Sequence, residues 1–239
     1  MPTVNPAAHV AAIARQYPST IKVFQRHRID FCCGGKRSLA AACSALDLPQ
    51  DAVLAEVQAA ADGPQPAGDW VTAPLHALVA HIVERYHAPL HRDLPVLREL
   101  AEKVARRHGA DTPALLAVRE VVEELAAEMT SHMGKEEMVL FPLIVRLASD
   151  GTAAVAMPVA APIVAMEHEH EEVAGHLRLL RELTHEYTPP ESACNSYRGL
   201  YQMLAELEAD TQAHIHLENN VLFPRAAELA RVAVGATAG

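Results

Sequence analysis

Two short patterns of one spacing, His132-x3-Glu136-x2-Val139-Leu140-Phe141-Pro142 and His214-x3-Glu218-x2-Val221-Leu222-Phe223-Pro224, lie 82 residues apart in a chain of 239. Each sets an imidazole and a carboxylate one helical turn apart, where two side chains on one helix face reach the same point. Two further histidines, His87 and His170, precede the patterns by 45 and 44 residues. Imidazole combined with carboxylate suits iron, manganese or zinc. Four His and two Glu converging in one core would bind two metal ions, two His terminal on each and both Glu bridging. Such a set leaves positions open for an oxo or hydroxo bridge and for a small ligand.

The elements that position these residues follow from hydrophobic period. Alternating steps of three and four give Val118, Val122, Leu125, Met129, His132, Glu136, Val139, Leu143, and again Leu200, Leu204, Leu207, Thr211, His214, Glu218, Val221. A third seam reads Ile163, Met166, His170, Val173, Leu177, Leu180, and His87 shares a helix face with Val83 and Leu90. An ionised carboxylate in such a seam costs several kcal/mol unless paired. Neighbouring seam positions carry no basic residue, so a cation from outside the chain is the simplest partner. Any one of the 14 histidines is ordinary by itself. Six residues related by an internal repeat are not. His91, one turn beyond His87, is the substitute ligand on that helix, and His76, three turns or about 16 Å away, cannot share the site. His168 and His216 fall on other faces and read as solvated. Glu128 and Glu169 lie beside the seams, as plain exposed acids or as a route for protons or iron.

The expected fold is all-α: a small helical module over 1–60, a Gly/Pro linker over 61–71, a four-helix bundle over 72–228 and a tail over 229–239. Helices are expected over His9–Tyr17, Ser19–His27, Ser38–Leu46 and Gln50–Ala60. Pro74, Pro113 and Pro162 mark bundle helix starts, and Pro89 should kink the first bundle helix. The apolar run Ala153 to Met166 carries Pro158 and Pro162 and is too short for a membrane span, so it reads as a connection. Net charge −10 without a Lys/Arg cluster argues against nucleic acid and anionic membrane. No secretory signal is visible and adjacent Cys32 and Cys33 do not make a relaxed bridge, which points to the cytoplasm.

Asp30-Phe31-Cys32-Cys33-Gly34-Gly35-Lys36 is a second chemical signal. A following helix dipole together with Lys36 and Arg37 should lower the thiol pKa values, making Cys32 and Cys33 candidate redox or metal-transfer thiols. The alternative is a buried apolar pair in a tight turn.

That motif, with Arg85-Tyr86-His87, Ser131-His132-Met133-x-Lys135-Glu136-Glu137, Met166-Glu167-x-Glu169-His170 and His214-x-x-Leu217-Glu218-Asn219-Asn220-Val221-Leu222-Phe223-Pro224-Arg225, closely resembles the repair of iron centres family. These are di-iron proteins with a cysteine-bearing N-terminal domain and a hemerythrin-like bundle. The family's ligand positions fall on His87, His132, Glu136, His170, His214 and Glu218. The resemblance implies two non-haem iron ions and a cytoplasmic protein that restores iron-sulfur clusters damaged by nitric oxide or peroxide, by supplying iron. Its partners would be damaged iron-sulfur proteins and the diatomic ligands nitric oxide and oxygen, and a homodimer is left open. Competing readings are a di-iron reductase of nitric oxide or oxygen, fed by a separate electron donor, and a sensor whose small domain moves with the metal state.

Overall fold

The computed structural model describes residues 3–66, 68–150 and 159–235. Apart from one isolated β-bridge between His9 and Ser38, its regular elements are helices. The small module contains α1 (Val10–Gln16), a 3-10 turn (Pro18–Thr20), α2 (Ile21–Arg26), α3 (Leu39–Ala45) and α4 (Gln50–Asp62). Ser38 caps α3 by accepting the Ala41 N–H at 3.2 Å. Val10, Phe24, Leu39, Val53 and Val57 are fully buried within its own core.

Among the described residues four helical rods follow. The first joins α5 (Leu75–Ile82) to α6 (Ala88–His108), and the second joins α7 (Ala114–Lys135) to α8 (Phe141–Asp150). The third is α9 (Ala160–Leu183), and the fourth joins α10 (Asn195–Leu217) to α11 (Phe223–Gly235). The last rod thus runs past the boundary placed at 228, because Ala226, Leu229 and Ala230 continue a helical pattern with no breaker. Of the connection expected over 153–166, residues 153–158 lie outside the described residues, and the remainder enters α9. Tail residues 236–239 also lie outside them.

Three rods contain a single π-helical turn: Val83–His87, Glu136–Leu140 and Glu218–Leu222. Each ends two residues before a proline: Pro89, Pro142 and Pro224. A helical proline has no N–H to give and its ring strikes the carbonyl four residues back, at a cost of about 3 kcal/mol. The π turn bonds the preceding residue five back instead: Ala88 to Val83, Phe141 to Glu136, Phe223 to Glu218. At Pro89 the expected kink therefore takes the form of a π turn just upstream.

In the second rod the seam moves by one residue at its π turn. After Glu136 the core side chains are Leu140, Phe141 and Ile144, while Val139, expected inside, is 51% exposed. The other seams hold: Ile163, Met166, Val173, Leu177, Leu180, Leu200, Leu204, Leu207 and Val221 are all buried. The bundle core is nevertheless split in two. One apolar cluster gathers around Leu94, Leu125, Leu177 and Leu204, the other around Leu78, Phe141, Ile163 and Phe223. A polar layer separates them.

Candidate metal centre

The polar layer consists of His87, His132, Glu136, His170, His214 and Glu218, all within 4% of complete burial. They form two groups of donor atoms, His87, Glu136, His214, Glu218 and His132, Glu136, His170, Glu218, each group lying within 4.8 Å. Both carboxylates belong to both groups. All four imidazoles turn Nε2 inward: His87 and His214 approach to 3.0 Å through these atoms, and so do His132 and His170. Two nitrogen donors at right angles on one cation, each about 2.1 Å from it, stand about 3.0 Å apart.

The donors fit a cation on a second count. Both oxygens of Glu136 and Oε2 of Glu218 are buried without a hydrogen bond. Leaving a buried acceptor orphaned costs about 1–3 kcal/mol, more when it is charged. Lys and Arg are absent from the layer, so an ion is the chemistry these oxygens lack. Burial alone would push Glu218 up, but His214, His170 and His87 hold it well below the usual carboxylate range. Burial likewise opposes charge on His132, yet Glu136, Glu218 and Glu169 raise it to about 9.

The outward nitrogens are oriented. Nδ1–H of His87 donates to Glu137 at 2.9 Å, that of His132 to Glu169 at 2.9 Å, and that of His170 to Asn219 at 2.8 Å. These bonds place the proton on Nδ1 and leave the Nε2 lone pair for the centre. Phe141 stacks on His87 and Phe223 on His170, with ring centroids 5.6 and 6.0 Å apart. The Phe-Pro step of each repeat therefore positions a π turn and backs a histidine at once.

Other candidates separate clearly. His91 stays outside the layer, half-exposed, sharing Glu137 with His87 at 3.1 Å. His76 and His168 are exposed, and Glu128 pairs with His176 at 3.1 Å. His216 corrects the reading as a solvated residue: it is 2% exposed and its Nδ1–H donates to the Phe31 carbonyl at 3.1 Å. The small module covers that face of α10. The sequence gives Glu137, Asn219 and Tyr86 no role of their own, and hides the burial of His216. Extending the repeat by one residue on either side of each ligand would have flagged the first three.

Cys32 and Cys33 sit where the small module meets the bundle. Cys33 Sγ lies 3.8 Å from the His170 carbonyl oxygen, and Asn220 donates to the Cys32 carbonyl at 3.1 Å. The expectation of a lowered thiol pKa fails for Cys32. The neighbouring Cys33 thiol, burial and the Asp30 carboxylate together hold it well above the usual thiol value. The next helix starts only at Leu39, too far away for its dipole to act. The backbone N–H groups of Cys32, Cys33 and Gly34 are taken by Asp30, at 3.0, 3.0 and 2.9 Å. The glycines serve packing: a Cβ on Gly35 would stand 2.6 Å from Ala11 Cβ and 2.7 Å from the Phe31 carbonyl oxygen.

A helical bundle interrupted by a buried His/Glu layer defines a cation-binding class, and residues 78–226 match the hemerythrin HHE cation binding domain. Residues 7–61 match ScdA_N, a domain of unknown function. The chain is 40% identical over 218 residues to the iron-sulfur cluster repair protein YtfE of Yersinia pseudotuberculosis serotype IB (strain PB1/+), covering 91% of this chain and 95% of that one. It is 42% identical over 221 residues to YtfE of Yersinia pseudotuberculosis serotype O:1b (strain IP 31758), with the same coverage. The chain belongs to the YtfE family of hemerythrin-like proteins.

Proposed function

We propose that this protein repairs damaged iron-sulfur clusters by holding two iron ions at His87, His132, Glu136, His170, His214 and Glu218 and donating iron from them. The observation that carries the reading is the pair of buried four-donor groups sharing Glu136 and Glu218. The relatives' name supplies the reaction class. Two iron ions bound there would supply both a releasable metal store and an electron reservoir able to bind nitric oxide or oxygen.

The chain's own residues do the rest. His87 and His214 face one half of the centre, His132 and His170 the other, and the two carboxylates offset the charge of both. Glu137, Glu169 and Asn219 hold three of the rings in the ligating tautomer. The two apolar clusters exclude water above and below the layer. Cys33, whose Sγ lies 3.8 Å from the His170 carbonyl oxygen, is the thiol we assign to metal or electron transfer at that face. Among the described residues no helix is long and apolar enough to cross a membrane, and a cytoplasmic setting with iron-sulfur proteins as clients is part of the proposal.

Iron transfer tests it. Iron-loaded protein mixed with an apo cluster protein under anaerobic conditions should lose iron as the acceptor's cluster absorption appears. Full retention of iron while the acceptor stays apo would contradict the donation step.

A further inference from the structure

The internal repeat relates the halves of the centre by exchange: His87 corresponds to His170, His132 to His214, and Glu136 to Glu218. Each four-donor group therefore takes one histidine from each repeat. The residue after each shared carboxylate plays one part in both halves, since Glu137 accepts from His87 and Asn219 from His170. Correspondence breaks at the residue before the first-helix histidine. In the second repeat this is Glu169, which accepts from His132 Nδ1 at 2.9 Å. In the first it is Tyr86, whose ring instead stacks on His214, centroids 5.6 Å apart and planes 9° from parallel. His214 Nδ1 is buried with no hydrogen-bond partner.

The surroundings differ in the same sense. Beside the His132 and His170 half, Cys33 approaches the His170 carbonyl, and Asn220, next to Asn219, donates to the Cys32 carbonyl. Beside the other half, Tyr86 lines a cleft of about 730 Å³ between small module, linker and bundle. Tyr86 thus both lines that cleft and stacks on His214.

We propose that the two halves hold metal unequally, that the ion at His87 and His214 is surrendered first, and that Tyr86 is the positioning residue that sets the difference. The inference rests on the iron-donation reading and assigns the donated ion within it. An acceptor on the outer nitrogen fixes a ligating imidazole and raises its basicity, and losing one typically costs 10–100-fold in metal affinity. The first half has one such acceptor, the second has two.

The test uses the full chain, loaded anaerobically with ferrous iron, mixed with excess ferrous chelator and assayed for retained metal over time. Release should be biphasic, one ion per chain in each phase. Tyr86→Gln, which offers His214 an amide oxygen, should slow the first phase about tenfold or more and leave the second unchanged. Asn219→Ala should speed the second phase by a similar factor and leave the first. Tyr86→Phe, which keeps the stacked ring without an acceptor, should follow the unmodified protein. Should Tyr86→Gln fail to fold, the Asn219→Ala arm decides. Release of both ions in one phase, or acceleration of the first phase by Asn219→Ala, would overturn the inference while leaving donation intact. Binding of less than one ion per chain would instead overturn the donation reading.

Discussion

At the scale of single residues, the central fact is that the buried acids and histidines can exchange protons for a cation. With no metal bound, His132 keeps a proton up to about pH 9. Metal needs that lone pair, so loading must expel the proton. Apparent metal affinity therefore rises with pH up to about 9, and loading at pH 7 releases at least one proton per chain. Calorimetric titration in buffers of different ionisation enthalpy measures the count, and a value of zero would contradict the assigned protonation. Glu218→Ala should be severe for another reason. It removes a donor from both four-atom groups and opens a cavity in a layer that packing cannot refill, so we expect loss of tight binding at both halves, read directly as metal per chain.

At the scale of elements, the two domains are joined by particular contacts with particular liabilities. His216 is held neutral against Phe31, burial depressing its pKa to about 4 from an ordinary 6.5. A depressed histidine leaves stability intact above pH 6.5 and removes it as pH falls from 6.5 through 4, by about 3 kcal/mol in total. His216→Gln, which keeps a donor and cannot titrate, should flatten that acid limb in thermal melts taken from pH 7 to 4. Gly35→Ala, pressed against Ala11 and Phe31, should destabilise the small module by about 1–3 kcal/mol. Hydrogen exchange confined to residues of α1 and α3 would show it. How much of this was legible in the sequence divides along physical lines. Pattern located the four small-module helices and three of the four bundle seams, because each buries one apolar face against its neighbours. It misplaced Val139, which the π turn leaves facing solvent, whereas Val221 at the same point of the other repeat stays buried where α1 of the small module packs on that turn. The burial of His216 is not legible because a helix face says nothing of what another domain lays over it, and the raised Cys32 thiol is not because closeness in sequence to Lys36 and Arg37 is not electrostatic proximity. The six-residue layer was legible because charge in an apolar seam is costly in any bundle.

At the scale of the whole molecule, the polar layer divides the bundle core, so bound metal should act as a structural cross-link among all four rods as well as the cargo. Removing it leaves buried carboxylates partnered by imidazoles alone between two apolar clusters. The metal-free chain should melt at a lower temperature than the loaded one, and the difference should grow with free metal as mass action requires. Arg225, donating to the Trp70 and Ala73 carbonyls at 2.9 and 2.6 Å, ties the linker to the last rod, so melting of that rod should also release the linker. The most direct test of the central claim is elemental analysis of anaerobically purified protein, with melting temperature followed during chelation. The account predicts two iron ions per chain and a fall in melting temperature as they leave; a chain that is metal-free as isolated, fully folded and indifferent to added iron would contradict it.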